Sequence, residues 1–177
     1  MIRIEQFETA EASADFLVEL KTLLNDAFGD SFSEEDWDHG LGGRHFAILE
    51  EGRLVAYCAV VPRRIFIEEK PYSCGYLENV ASVPDKRHQG FASIAVREAN
   101  QFIATHFEFG GLSTSKHDFY RKLGWQIWLG PTFVISNEEW KSSDSENGGI
   151  MILETGAVPA LDFQCRIACQ ERPGDDW

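Results

Sequence analysis

Hydrophobic residues recur along this chain with two periods, and each period predicts one kind of secondary structure. Residues 2–7 alternate between apolar and polar side chains, which predicts a first strand. Residues 14–28 place apolar side chains three and four positions apart, which predicts a helix with one buried face. Ser33 with Asp36 three residues later fits a capping box, so a short second helix is expected to begin there and to stop at the glycine-rich stretch 40–43.

The middle of the chain predicts a run of antiparallel strands. Pro62 is expected to mark an edge or a break in this run, because proline cannot donate to a strand ladder. The predicted strands, with a tight turn at 51–52, are 45–50, 54–61, 64–68 and 72–83. After Pro84 the period changes, and apolar residues from Phe91 to Ile103 predict an amphipathic helix of about 16 residues.

The last third of the chain predicts short elements. Residues 116–123 form a short predicted helix that Gly124 is expected to end. The polar and acidic stretch 137–149 is predicted to be a mobile loop. The predicted strands of this part are 109–112, 126–129, 132–135, 150–153 and 163–168.

The order of these elements predicts the fold class. Strands come first and are followed by a strand–helix–strand–helix–strand unit, which implies a mixed α/β sheet with helices on both faces. The 177 residues suit one domain, and no linker divides residues 1–177.

Composition limits the function. The chain has 16 Lys and Arg against 29 Asp and Glu, a net charge of −13, which argues against nucleic acid and anionic membranes as partners. Such a charge attracts a polycationic substrate, although the charge alone favours the simpler interpretation that it keeps the protein soluble. The four cysteines form no CxxC pair, and the five histidines show no metal-ligand spacing, so no metal is expected. Neither a signal peptide nor a membrane span is predicted, which favours the cytoplasm.

The most informative segment joins the strand at 76–83 to the helix that begins at Phe91. Arg87, Gly90 and Ala92 form an RxxGxA string at this junction. Small residues let the backbone approach a ligand, and N–H groups at a helix N-terminus suit a pyrophosphate. By itself the string is also compatible with an ordinary capped loop.

Together with the segment 119–125, which reads FYRKLGW, this junction resembles the GCN5-related N-acetyltransferases (GNAT). The resemblance implies a central mixed, mostly antiparallel sheet flanked by helices, and acetyl-CoA as the acyl donor. The residues that it implies for donor binding are Val80, Ala81, Arg87, His88, Gln89, Gly90, Phe91 and Ala92.

Other segments are similar to the aminoglycoside 2'-N-acetyltransferases in particular. These segments are 32–39, 41–45, 74–81, 130–132 and 174–177. The chain departs from that pattern at Ser31, where the family has Asp, and at Glu146, where a run of aspartates is expected. The resemblance implies transfer of an acetyl group to the 2'-amine of an aminoglycoside, a role in antibiotic resistance, and a homodimer.

The same resemblance assigns roles to individual residues. Glu78 is implied as general base, acting through a water, and Tyr120 as general acid for the departing thiolate. The Val80 N–H is implied to hold the thioester oxygen, with Asn79 at a bulge that exposes it. The residues expected to hold a cationic acceptor are Asp36, Trp37, Asn79, Ser113, Glu146, Asp175 and Trp177, whose α-carboxylate is included.

Two alternatives stay open at this point. The same machinery suits another small amine, a polyamine or a peptide amine. A non-catalytic acyl-CoA-binding sensor would keep Arg87, Gly90 and Ala92 but would have no need for Glu78 and Tyr120.

Overall fold

Ten strands and four helices follow one another in the structure, a computed structural model that describes residues 1–177. The helices are α1 (Ala14–Phe28), α2 (Glu34–Gly40), α3 (Phe91–His106) and α4 (His117–Arg121). The strands are β1 (Ile2–Glu8), β2 (Arg44–Glu50), β3 (Arg53–Ile67), β4 (Lys70–Ser82), β5 (Phe109–Ser113), β6 (Gln126–Ile127), β7 (Thr132–Ser136), β8 (Glu139–Ser142), β9 (Ile150–Glu154) and β10 (Ile167–Gln170).

The first of two units comprises Met1–Val61 and Leu77–Ala99. In it β1 pairs with β2, and β2 pairs with β3, both antiparallel. Ser13 caps α1 by accepting a hydrogen bond from the Phe16 N–H, and Gly29 ends the helix at a φ of 62°. The predicted first strand and the helix at 14–28 are therefore confirmed. The α1 side chains buried in this unit are Leu20, Leu23 and Leu24.

The second unit comprises Pro62–Tyr76 and Asn100–Trp177. Its strand order is β6, β9, β5, β4, β3, β10, β7, β8. The pairs β4–β5 and β10–β7 are parallel, whereas β5–β9, β6–β9, β10–β3 and β7–β8 are antiparallel. The sheet is mixed and mostly antiparallel, as the family resemblance implies.

Of the two alternatives predicted for Pro62, the break is wrong, because β3 continues through it to Ile67. Pro62 is exposed and lies after Val60, the last partner of β2, and before Ile65, the first partner of β10. A missing N–H at this position therefore costs neither ladder a hydrogen bond.

Two further predictions need correction. The last strand spans Ile167–Gln170 rather than 163–168, because Phe163 lies in a turn where its carbonyl accepts from the N–H groups of Leu129 and Gly130. The stretch 137–149 contains β8 and a 3-10 turn at Asp144–Glu146 instead of being all loop. Asn137 and Glu138 both have positive φ, the backbone of a two-residue hairpin turn.

Candidate active site

The end of β4 carries four of the predicted site residues, and Glu78, Asn79 and Val80 precede the fourth, Ala81. Glu78, Asn79 and Val80 are partly buried. Asn79 has a φ of 55°, which is uncommon for a residue other than glycine and rare inside a strand. The strand is therefore irregular at the position where the resemblance implies a bulge.

The loop between β4 and α3 has the backbone of an anion cradle. His88 and Gly90 have φ values of 63° and 90°, and a Cβ built on Gly90 would have no atom within 4 Å apart from those of its neighbours in the chain. The helix begins with the Ile94 N–H bonded to the Gly90 carbonyl, so the N–H groups just before Ile94 have no partner within the helix. Orphan N–H groups beside open space are what a phosphate oxygen needs.

The two basic residues of this loop differ in their contacts. Lys86 Nζ lies 2.6 Å from the Glu50 carboxylate, so its charge is already paired. The exposed Arg87 donates through Nη2 to the Ala27 carbonyl at 2.9 Å and forms no ion pair. Of these two basic residues, Arg87 is therefore the one whose positive charge is not already paired with a carboxylate.

The other predicted donor-binding residues lie within this loop and on both sides of it. Gln89 is exposed and donates through Nε2 to the Asp85 carbonyl at 3.1 Å. Ala81 and Phe91 are buried, so their side chains belong to the core and only their backbone groups suit ligand binding. Ala92 is half-buried in the first turn of α3.

Helix α2 holds Asp36 and Trp37 and is tied to Asn79. Asp36 Oδ2 accepts hydrogen bonds from the N–H and hydroxyl of Ser33, which completes the predicted capping box. Asn79 Nδ2 donates to the Asp36 carbonyl at 3.0 Å. Lys21 Nζ lies 5.4 Å from the centre of the Trp37 ring. Within this unit the structure thus connects Asp36 with Asn79 and leaves one Asp36 carboxylate oxygen outside the capping box.

Sequence reasoning missed that the side chains of His45 and Tyr57 form a buried polar contact. His45 Nδ1 lies 2.6 Å from the Tyr57 hydroxyl, and its Nε2 lies 2.6 Å from Thr9 Oγ1. Burial, followed by smaller effects of Cys58 and Glu78, raises the pKa of Tyr57 well above 10. The negative charge of Glu78 therefore acts electrostatically on Tyr57, and the Tyr57 hydroxyl stays protonated. Because the partners are 12 and 36 positions apart, no local pattern reveals these contacts.

In the second unit, Tyr120 lies on α4 and is buried. Its ring packs edge-on against Phe119, with centroids 4.8 Å apart, and against Trp125, 6.2 Å away. Trp125 is fixed in turn by a hydrogen bond from its indole to Asn100 Oδ1 at 3.1 Å. These contacts leave the Tyr120 ring with a defined orientation.

Ser113 and Glu146 are brought together in this unit. Ser113 Oγ donates to Glu146 Oε2 at 3.1 Å, and the Gly149 N–H donates to the Glu146 carbonyl at 2.8 Å. Both the carboxylate and the backbone of Glu146 are therefore held, although the residue is separated from Ser113 by 33 positions.

Trp177 is buried, with 4% of its surface exposed, and its indole donates to Ser143 Oγ at 3.1 Å. The backbone N–H of Trp177 donates to Asp175 Oδ1 at 3.3 Å. One carboxylate oxygen of Asp175, a residue predicted to bind the cationic substrate, is therefore already in a hydrogen bond within the chain. Asp175 itself is exposed.

Two general features of the chain bear on the other predictions. No helix combines the length and the apolar character needed to cross a bilayer. No group of three or more His, Cys, Asp or Glu side chains is arranged to hold a metal ion. The absence of a metal requirement stays a prediction.

Comparison with known proteins gives a family match and a close relative. The model of the acetyltransferase (GNAT) domain matches residues 8–128. An aminoglycoside 2'-N-acetyltransferase from Mycolicibacterium fortuitum is 35% identical over 162 residues, which cover 89% of this chain and 83% of the relative.

Solved structures support the same fold at low sequence identity. YhbS, a GNAT family N-acetyltransferase from Escherichia coli in complex with CoA, matches with a TM-score of 0.66 at 14% identity, covering 98% of this chain and 93% of that one. A GNAT family acetyltransferase from Brucella melitensis in complex with acetyl-CoA matches with a TM-score of 0.64 at 15% identity, covering 95% of each chain.

Proposed function

The chain belongs to the acetyltransferase (GNAT) family, and we propose that it transfers an acetyl group from acetyl-CoA to the 2'-amine of an aminoglycoside or a similar aminosugar. The observation that carries the acceptor part of this proposal is the 35% identity with an aminoglycoside 2'-N-acetyltransferase across 89% of the chain. The family membership makes the chain an acetyltransferase and disfavours the sensor alternative.

The donor part of the proposal is supported by the loop that precedes α3. The open backbone at Gly90, with its positive φ, and the N–H groups ahead of Ile94 fit a pyrophosphate. Arg87 would add the charge that a pyrophosphate attracts. When bound, acetyl-CoA supplies the activated thioester carbonyl.

In the proposed reaction the neutral acceptor amine attacks the thioester carbonyl carbon, the new C–N bond forms, and the C–S bond breaks. The amine gives up one proton and the CoA thiolate takes one, so the step needs a base and an acid. Glu78 is proposed to receive the amine proton through a water. The Tyr120 hydroxyl is proposed to protonate the thiolate, and the Val80 N–H to donate to the carbonyl oxygen as negative charge develops there.

The acceptor carries several ammonium groups, so its binding needs carboxylates. Glu146 is the best supported of these, because Ser113 already orients its carboxylate. Asp36, Asp175 and Trp177 are proposed as further acceptor contacts. The net charge of −13 favours the approach of such a cation.

Analysis of the product tests this proposal. Purified protein would be incubated with acetyl-CoA and an aminoglycoside that carries amines at the 2' and other positions. Mass spectrometry should show one added acetyl group, and NMR should place it on the 2' nitrogen. Acetylation at another nitrogen would overturn the regiochemistry, whereas an aminoglycoside that stays unacetylated would overturn the acceptor class.

A further inference from the structure

The residues 143–149, called here the 143–149 segment, carry Glu146 and are linked to Trp177. We propose that Trp177 is a positioning residue, which fixes the 143–149 segment through Ser143 and thereby sets the Glu146 carboxylate for the cationic acceptor. This inference rests on the proposed function for the role of Glu146. It gives the Trp177 indole an indirect role, which is separate from the proposed contact of the Trp177 α-carboxylate with the acceptor.

The first link joins Trp177 to Thr132. The Trp177 indole donates to Ser143 Oγ at 3.1 Å, and Ser143 Oγ donates to Thr132 Oγ1 at 3.0 Å. Thr132 has no exposed surface, and Trp177 has 4%. A buried polar link of this kind is costly to break, because each group left without a partner stays desolvated.

The second link connects Thr132 to the residues next to Glu146. Asn147 Oδ1 accepts from the Thr132 N–H at 2.9 Å, and the single proton of the Thr132 hydroxyl is shared between Asn147 Oδ1 at 3.0 Å and the Ser143 carbonyl at 2.7 Å. The Asn147 N–H donates to the Asp144 carbonyl, and the Gly149 N–H to the Glu146 carbonyl. The 143–149 segment is therefore anchored at Ser143 and Asn147, on either side of Glu146.

Trp177 is itself held by contacts outside the segment. Asp176 accepts through its carbonyl from Arg63 Nη2 at 2.7 Å and through Oδ1 from the Arg172 N–H at 2.9 Å. The guanidinium carbons of Arg63 and Arg172 lie 4.6 and 5.7 Å from the centre of the buried Tyr76 ring. The indole thus has a fixed position from which it can order the segment.

The first test is hydrogen–deuterium exchange at the Asn147 and Gly149 amides in the full chain. Ser143→Ala and Trp177→Phe should each speed this exchange about tenfold, the effect of losing one hydrogen bond. Trp128→Phe is the matched control, because Trp128 is also buried and its indole donates to the Cys165 carbonyl at 2.8 Å. Unchanged exchange in the first two variants, or an equal increase in the control, would overturn the inference.

The second test uses steady-state kinetics with a 2'-amine aminoglycoside. Trp177→Phe should raise the KM of the acceptor about tenfold and leave the KM of acetyl-CoA within about twofold. In a Glu146→Gln background the same substitution should have no further effect on the acceptor KM. A full additional increase in that background would show that Trp177 acts independently of Glu146 and would overturn the inference.

The two tests separate this inference from the proposed function. If the unaltered protein acetylates no aminoglycoside, the proposed acceptor is wrong, and the exchange comparison alone decides whether Trp177 orders the segment. If the acceptor is acetylated and exchange does not change, the proposed function stands and the positioning role fails.

Discussion

The Tyr57 hydroxyl lies 2.6 Å from Nδ1 of His45, a histidine with no exposed surface. Burial, with a smaller effect of Arg44, lowers the pKa of His45 from 6.5 to about 4. Between these two pH values the unfolded chain binds a proton that the folded chain does not, so stability decreases as the pH falls. The loss should approach about 3 kcal/mol below pH 4, at 1.4 kcal/mol per pKa unit.

Urea unfolding at pH 7 and pH 5 would measure this dependence, with about 2 kcal/mol lost between them. His45→Gln should be less stable at pH 7 and should show a weaker dependence on pH. His88→Gln, at an exposed position, is the control and should keep the original dependence. An unchanged dependence in His45→Gln would rule out His45 as its origin.

Gly40 leaves room for the Asn79 amide. A Cβ built on Gly40 would lie 2.5 Å from Asn79 Nδ2, the atom that donates to the Asp36 carbonyl. Gly40→Ala should therefore break this hydrogen bond and lower the free energy of unfolding by about 1 kcal/mol or more. Urea denaturation of Gly40→Ala, Asn79→Ala and the double variant would measure it. Because Asn79→Ala removes the colliding atom, strictly additive losses in the double variant would contradict this explanation.

Arg87 is predicted to bind acetyl-CoA through its charge. Arg87→Ala should weaken acetyl-CoA binding about tenfold, a loss of about 1.4 kcal/mol, measured by isothermal titration calorimetry. Arg97→Ala, at an exposed position of α3, is the matched control and should bind normally. Equal affinities for both variants would exclude Arg87 from the donor site.

Glu78 is predicted to act on the amine and not on the donor. Glu78→Gln keeps the size of the side chain but removes its basicity, so kcat should fall by about a hundredfold or more. The affinity for acetyl-CoA should stay within about twofold, because the proposed donor contacts lie elsewhere. Unchanged turnover in this variant would remove Glu78 as the base.

The local patterns of the sequence predict much of the fold. α1 and α3 begin and end as expected. Their apolar spacing and the residues at their ends lie within one short stretch of sequence, so a local pattern is enough to predict them. A loop also lies at 87–90, as Gly90 predicts. β8 was missed because its residues are mostly polar and exposed, so it lacks the hydrophobic alternation that marks a strand.

The polar networks of the candidate site escape sequence reasoning for a different reason. Thr132 and Asn147 are 15 positions apart, and Trp177 and Ser143 are 34 apart. Their contacts depend on how β7 and the 143–149 segment fold together, which no short motif encodes. Roles for Glu78 and Tyr120 came from family resemblance, and they stay predictions.

The central claim concerns the acceptor, and release of the CoA thiol from acetyl-CoA tests it most directly. The rates would be compared for two aminoglycosides that differ only in carrying an amine or a hydroxyl at the 2' position. The proposed function predicts turnover with the 2'-amine compound and none above background with the 2'-hydroxyl compound. Equal turnover of both, or turnover of neither while acetyl-CoA still binds, would contradict it.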